Sequence, residues 1–493
     1  MFRRIAIAAA LFAWLPFAQA QLPEPVAARM AAGGIALDAI SVLVLRGDTT
    51  LVSHLADRPM QPASTMKLVT TLAGLELLGP VFKGRTELRA SADVVRGVLK
   101  GDLVLRGGAD ADFSGEVLEK MLQTLRNQGI RRIDGNLVLD RSLFSPSRTD
   151  VGLPPFDESP DAYYNVIPDA LLVNKNMLQI DMRSTDRKLA LVMQPPLDRV
   201  TVDSAMTLID ADCAKWEDGW KQPQVQQRDG KLKVVLQGTF PKNCAKGYSI
   251  NVVDRQDYVG RLFRGTWKKL GGSFGGDVTE GVAASDSRIL AEHASRPLPE
   301  VVRDINKPSD NALARTVFLS LGSLEADPVL GSRPIPASAE TTFSRADRAV
   351  RQWMRQHNIN DEGLVMENGS GLSRTERITA VQMGGLLQAG LRSDWAPEFQ
   401  ASMPIVAVDG TMRRRLKDSP AAGRARLKTG TLSNVTAVAG YVRDASGQQC
   451  VVVAMLNGDN IGNGKGRAVL DTLVDWVARS GVEPAATVAA RPQ

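Results

Sequence analysis

The clearest hydrophobic pattern in the chain opens at Ser64. Met66, Leu68, Val69, Leu72, Leu75 and Leu78 recur at intervals of three and four before Gly79-Pro80 ends the run. This spacing predicts a core helix with Ser64 at its N-terminus. A second run, Ala312 to Leu321, is apolar with few charges and predicts a buried helix that begins at Ser309-Asp310-Asn311. Nearer the C-terminus the pattern becomes strand-like. Val435–Val442 and Cys450–Leu456 are short apolar runs joined by the turn Asp444–Gly447, and Arg424–Gly430 precedes them, which predicts an antiparallel meander. From about Phe82 to Val282 the texture differs. Strand-like runs (Val98–Leu105, Ile133–Leu139, Lys188–Met193, Leu232–Leu236) alternate with Gly, Pro and Asp turns, and helices are expected over about Gly115–Asn127 and Gln256–Leu270.

The polar residues at the starts of these elements carry the candidate chemistry. Ser64-Thr-Met-Lys67 places a hydroxyl at a helix N-terminus, where free N–H groups favour an alkoxide or oxyanion, and puts an amine one turn on along the same face. A desolvated lysine near other cations can act as a base. Ser309 can relay a proton, and the Asn311 amide can hold a lysine or a substrate carbonyl. On the expected edge strand, Lys428 and Thr429 can present a charge and a hydroxyl to a carboxylate, Gly430 leaves room for a substrate backbone, and the N–H of Thr431 with that of Ser64 forms an oxyanion hole. Taken singly, each signature also reads as a capped helix or a lysine-protected edge strand. A Ser-x-x-Lys match is expected about once by chance in a chain of this length, whereas the ordered trio has a chance on the order of one in several hundred.

With these three motifs the chain resembles the serine D-alanyl-D-alanine carboxypeptidases of the low-molecular-mass class C penicillin-binding proteins. The segments Asn368-Gly-Ser-Gly-Leu-Ser-Arg374, Gly135–Asp140, Leu105–Gly108 and Tyr164–Asn176 fit the same family. Asn368 stands where the family would carry Asp. The resemblance implies an α+β fold: a transpeptidase-like domain of antiparallel sheet and helices plus a helical cluster, carrying a large, mostly β insertion. It implies a Ser64 acyl-enzyme, with Lys67, Ser309 and Asn311 catalytic and Lys428, Thr429, Gly430 and Thr431 binding substrate. It also implies that Asp157 reaches the free amino group of a diaminopimelic-type side chain, with an exposed turn acid as the alternative. The expected activity is removal of the terminal D-alanine from peptidoglycan stem peptides, with cleavage of D-alanyl cross-links unranked beside it. A β-lactamase-like hydrolase and a non-catalytic wall-binding protein are the competing readings. The expected partners are stem peptides and β-lactams, and no cofactor is called for.

About 245 residues separate Ser64 from Ser309 but only about 119 separate Ser309 from Lys428, so the first interval has room for an extra domain or two. The expected organisation is a signal peptide over 1–20, a catalytic domain in two parts (21–83 and 284–482), an insertion over 84–283 made of two nested small domains, and a disordered tail over 483–493. Arg3-Arg4, the apolar run Ile5–Phe17 and Ala18-Gln19-Ala20 have the layout of a cleavable secretory leader, which points to the periplasm. No later segment is long and apolar enough to span a bilayer; peripheral contact with membrane or wall stays open.

Of the three cysteines, Cys213 and Cys244 are expected to pair in an oxidising compartment, closing a loop of about 31 residues worth roughly 3–4 kcal/mol. Cys450, in an apolar strand, reads as a buried free thiol. The three histidines are scattered and lack zinc spacing or a neighbouring nucleophile motif, which disfavours a metal hydrolase or a Ser-His-Asp triad. The net charge of +6 is dispersed and falls by two with the leader. No basic stripe with aromatics supports nucleic-acid binding. The densest basic run, Arg413–Arg415, reads as a solvated helix face, with wall-polymer or acidic-lipid contact as the alternative.

Overall fold

The computed structural model describes residues 22–336 and 338–481; the leader expected over 1–20 and the tail expected over 483–493 lie outside the described residues. At its centre is a five-stranded antiparallel sheet in the order Thr49–His54, Ile40–Arg46, Gln449–Asn457, Val435–Arg443, Arg426–Leu432. The three inner strands, Ile40–Arg46, Gln449–Asn457 and Val435–Arg443, read as almost unbroken apolar runs because both of their faces are covered. Val42, Val44, Val438, Val442, Val452 and Ala454 pack with the first helix, Glu24–Gly33, and the last, Lys465–Arg479. The alternate residues Leu43, Ala437, Ala439, Tyr441, Val451, Val453 and Met455 face a group of helices that includes Lys67–Leu77, Leu298–Asn306, Asn311–Leu321, Thr342–Gln356 and Ala380–Arg392. The period of two along each strand thus divides the side chains between two cores.

The helix after Ser64 departs in detail from its hydrophobic pattern. Residues Ala63–Met66 form a tight 3-10 turn, and the α-helix proper runs from Lys67 to Leu77. Every residue from Lys67 to Leu75 is buried, as is every residue of the helix Asn311–Leu321. Asp310 caps the latter helix, accepting the Leu313 N–H at 2.9 Å.

The segment between the two halves of this layer has its own core, built from Leu88 through Ala291. It leaves and returns through neighbouring strands, Arg85–Ala90 and Arg288–Ala294, which pair antiparallel. Its helices are Gly115–Asn127 and Arg255–Lys269, and Cys213 and Cys244 are joined by a disulfide. Cys450 is free and buried.

Two of the expected strands are not single strands. Val98–Leu105 breaks into Val98–Leu99 and Leu103–Gly108, and Ile133–Leu139 breaks into Arg132–Ile133 and Leu137–Asp140. The two chains run side by side in parallel and pass together from one small sheet into another. At the crossing a Cβ on Gly135 would sit 2.4 Å from the Gly101 carbonyl carbon, so the backbones can approach this closely only with glycine there. Arg413–Arg415 is not a helix face either. It is a turn after the 3-10 segment Gly410–Met412, and Arg415 pairs with Asp471 at 2.6 Å.

Candidate active site

The three motifs converge where the edge strand Arg426–Leu432 meets the Ser64 turn and the start of the helix Asn311–Leu321. A Cβ on Gly430 would lie 2.5 Å from the Pro62 carbonyl oxygen and 3.1 Å from the Ser64 nitrogen. Only glycine lets the strand lie this close to the turn that carries the serine. Two residues beside the motif hydroxyls adopt left-handed backbone: Ala63, with φ 45°, immediately before Ser64, and Ser309 itself, with φ 68°. Such conformations cost roughly 1–3 kcal/mol each and cluster at sites where geometry matters more than local comfort.

Lys67 is fully buried and its Nζ meets three oxygens: Ser64 Oγ at 3.0 Å, Asn311 Oδ1 at 2.6 Å and the Ser370 carbonyl at 2.5 Å. Burial, with the charge of Lys428 adding to it, pushes the Lys67 amine well below the usual lysine range, while Asp310 and Glu376 oppose the shift. A neutral amine has two N–H bonds and one lone pair. Asn311 Oδ1 and the Ser370 carbonyl can only accept, so they take the two N–H bonds and leave the lone pair facing the Ser64 hydroxyl. The Asn311 amide is oriented from its other side as well, because its Nδ2 donates to the Tyr164 carbonyl at 2.9 Å.

Lys428 is also fully buried. Its Nζ donates to Ser309 Oγ at 2.9 Å and to the Thr429 carbonyl at 2.8 Å, and burial brings its pKa down to about 7. The Thr429 hydroxyl donates to Thr411 Oγ1 at 2.8 Å. Ser64 and Ser309 are half-buried, and Thr431 is exposed at the end of the same strand. Ser64, Lys67 and Asn311 therefore form one linked set, Ser309, Lys428 and Thr429 another, and the tripeptide Ser309-Asp310-Asn311 joins the two.

Asp157 stands one residue removed. Its carboxylate accepts from the Ser159 N–H at 3.0 Å, Asn165 Nδ2 at 2.8 Å and the Tyr164 hydroxyl at 3.0 Å. Three of the roughly four lone-pair positions of a carboxylate are thereby in use, and the open one is on the oxygen facing Tyr164. Its link to the other motifs runs through Tyr164, whose carbonyl holds Asn311. Phe156 beside it lies under the Arg374 guanidinium, 4.7 Å from the ring centre.

Several contributors have no sequence signature of their own. The carbonyls of Ser370 and Tyr164 are backbone atoms, although both segments belong to stretches that carried the family resemblance. Thr411 has no motif. Lys175, which pairs with Asp310, sits in the run Asn174–Asn176, three consecutive residues with left-handed backbone. The histidines are all engaged elsewhere: His54 with the Leu37 carbonyl, His293 with Asp110, His357 with Glu76. A cleft of 1220 Å³ lined by Asp110, Asp112, Lys175, Leu313 and Thr316 contains none of the three motifs, so the site is identified by its chemistry and not by cavity size.

The sequence model of the D-Ala-D-Ala carboxypeptidase 3 (S13) family matches residues 24–480. The chain is 29% identical over 409 residues to a D-alanyl-D-alanine carboxypeptidase of Actinomadura sp. strain R39, covering 81% of this chain and 73% of that protein. It is 26% identical over 409 residues to the D-alanyl-D-alanine carboxypeptidase DacB of Haemophilus influenzae, covering 82% of each. In structure it superposes on penicillin binding protein 4 (dacB) from Haemophilus influenzae with a TM-score of 0.72 at 24% identity, over 90% of this chain and 96% of that one. The same protein complexed with a β-lactam gives a TM-score of 0.67 at 23% identity, over 88% and 94% of the two chains.

Proposed function

The chain belongs to the D-Ala-D-Ala carboxypeptidase 3 (S13) family of serine peptidases, and from that premise we propose how its residues carry out the family's reaction. Neutral Lys67 takes the proton of Ser64 as Oγ attacks the carbonyl of the penultimate D-alanine. The oxyanion is held by the N–H groups of Ser64 and Thr431, at the start of a helix and the end of the edge strand. The proton passes from Lys67, with Ser309 as relay, to the departing amine, and the bond to the terminal D-alanine breaks. Water then releases the acyl group from Ser64. Lys428 and Thr429 hold the terminal carboxylate, Gly430 lets the substrate backbone approach, and Asp157 offers its open lone pair to a free amine on the stem peptide.

The observation that carries this reading is the setting of Lys67: buried, depressed in pKa, with two acceptors for its N–H bonds and the serine hydroxyl at its lone pair. The same geometry supports acylation by β-lactams, whose strained amide presents a carbonyl and a carboxylate in a similar relation. A leader-directed export to the periplasm fits this substrate, and no helix among the described residues is long and apolar enough to cross a membrane. The test is mass mapping of the protein after reaction with benzylpenicillin. The penicilloyl group is expected on the peptide that contains Ser64, and its appearance on any other residue would refute the assignment.

A further inference from the structure

The tight turn Glu367–Glu376, rich in small and polar residues, supplies the carbonyl that fixes one N–H of Lys67, and a single buried side chain holds the turn in shape. Glu376 Oε1 accepts three consecutive backbone N–H groups, from Glu367 at 3.1 Å, Asn368 at 3.0 Å and Gly369 at 3.0 Å. The next residue is Ser370, whose carbonyl accepts from Lys67. Asn368 closes the other side: its Oδ1 accepts the Ser370 N–H at 2.9 Å and its Nδ2 donates to the Leu372 carbonyl at 2.9 Å, a bond that a carboxylate there would not make. Glu376 is 1% exposed, and its second oxygen has no hydrogen-bond partner among the described residues. A carboxylate buried with one free oxygen is costly unless positive charge lies near it.

That charge is present. Arg315, buried on the helix Asn311–Leu321, is the standing cation that feels Glu376, and the Lys67 amine, when protonated, is the second group that Glu376 acts on. Arg315 donates to the Val166 carbonyl, has a partnerless Nε among the described residues, and feels the charges of Glu376 and Glu367. Asp310, half-buried and paired with Lys175, is the other acid acting on Lys67, and Glu367, bonded to Ser373 and Thr375, is the other acid acting on Glu376. Among these groups Glu376 is the one fully buried carboxylate; burial raises its pKa above the ordinary carboxylate value, and the three backbone N–H groups oppose that rise by favouring the charged form.

We propose that Glu376 is a positioning residue for the acylation step: it anchors the turn that aims the Ser370 carbonyl at Lys67, and its negative charge balances buried Arg315 and favours the protonated form of the Lys67 amine. Glu376 touches neither substrate nor the reacting atoms. It acts by selecting the orientation of the Lys67 amine, and so the direction of the lone pair that faces Ser64. This rests on the mechanism proposed above. It also makes a separable claim, because the charge of Glu376 raises the pKa of Lys67.

The experiment measures the second-order rate of benzylpenicillin acylation against pH for the wild type, Glu376→Gln and Glu376→Ala, with thermal melts to check folding. Glutamine retains an acceptor oxygen for the turn but removes the charge. Its acid limb is expected to move to lower pH by about half a unit to one unit, the effect of losing one nearby charge in a partly screened interior. Its rate at the optimum should stay within roughly threefold of wild type, while alanine, which releases the turn, should lose at least tenfold. An unshifted limb in the glutamine variant overturns the electrostatic role, and near wild-type rates in the alanine variant overturn the anchoring role. An absent acid limb in the wild type would instead count against Lys67 as the base. If neither variant folds, hydrogen exchange of the 367–369 amides in the wild type decides: slow exchange supports the anchor, and exchange as fast as in an open loop refutes it.

Discussion

Lys67 Nζ lies 3.0 Å from Ser64 Oγ with its two remaining partners restricted to accepting hydrogen bonds. The amine is thus poised to receive the serine proton and not merely to sit near it. Because burial holds its pKa well below the ordinary lysine value, the neutral base is already populated below the pH at which a free lysine would deprotonate.

Acylation by penicillin should therefore rise with pH along a limb that lies well below 10, and then level off. Stopped-flow or quenched labelling across pH measures this directly. A rate that climbs only as pH nears 10 would mean that Lys67 retains an ordinary pKa and is protonated in the working enzyme.

Lys428 offers a stability test. Its folded pKa of about 7 lies below the unfolded value near 10.5, so the unfolded chain binds more protons between those limits. Its contribution to stability thus rises with pH across that window and is least favourable at or below pH 7. Lys428→Met should raise Tm by a few degrees at pH 7, with the gain shrinking toward pH 10, while turnover of D-alanyl peptides falls by at least tenfold. A lower Tm at pH 7 would show that the bonds to Ser309 and Thr429 outweigh the cost of burying the amine.

The three motifs and the elements that bear them were legible because each is a local signal. An apolar period of three to four follows Ser64 and Asn311, and strand-like runs follow Lys428. What was not legible depends on contacts between distant segments. The acceptors that orient Lys67 are a side-chain amide and a backbone carbonyl 244 and 303 residues away, and a carbonyl looks the same whatever residue bears it. Glu376 could be seen as polar but not as the anchor of three amides. The broken strands at Gly101 and Gly135 read as continuous because their apolar residues keep the same alternation through the crossing.

Asp157 has one carboxylate position free once Ser159, Tyr164 and Asn165 are satisfied. Asp157→Asn should lower kcat/KM about tenfold for peptides with a free side-chain amine and leave penicillin acylation unchanged. Equal loss with both substrates would assign Asp157 to holding Tyr164 in place.

The disulfide between Cys213 and Cys244 lies in a core separate from the Ser64 site. Replacing both cysteines with serine should lower stability by roughly 3 kcal/mol in denaturant titration and leave the acylation rate of the folded protein within about twofold. A folded variant that acylates slowly would reveal coupling between this segment and the catalytic layer.

If Lys67 is the base that makes Ser64 a nucleophile, Lys67→Arg must disable the enzyme, because arginine keeps the charge but cannot give up its proton. The measurement is the rate of covalent labelling by a fluorescent penicillin at pH 7, beside Ser64→Ala as the variant with no nucleophile. No labelling is expected with Ser64→Ala and a loss of at least a hundredfold with Lys67→Arg, both folded. Labelling by Lys67→Arg at near wild-type rate, or any labelling that survives in Ser64→Ala, would contradict these roles.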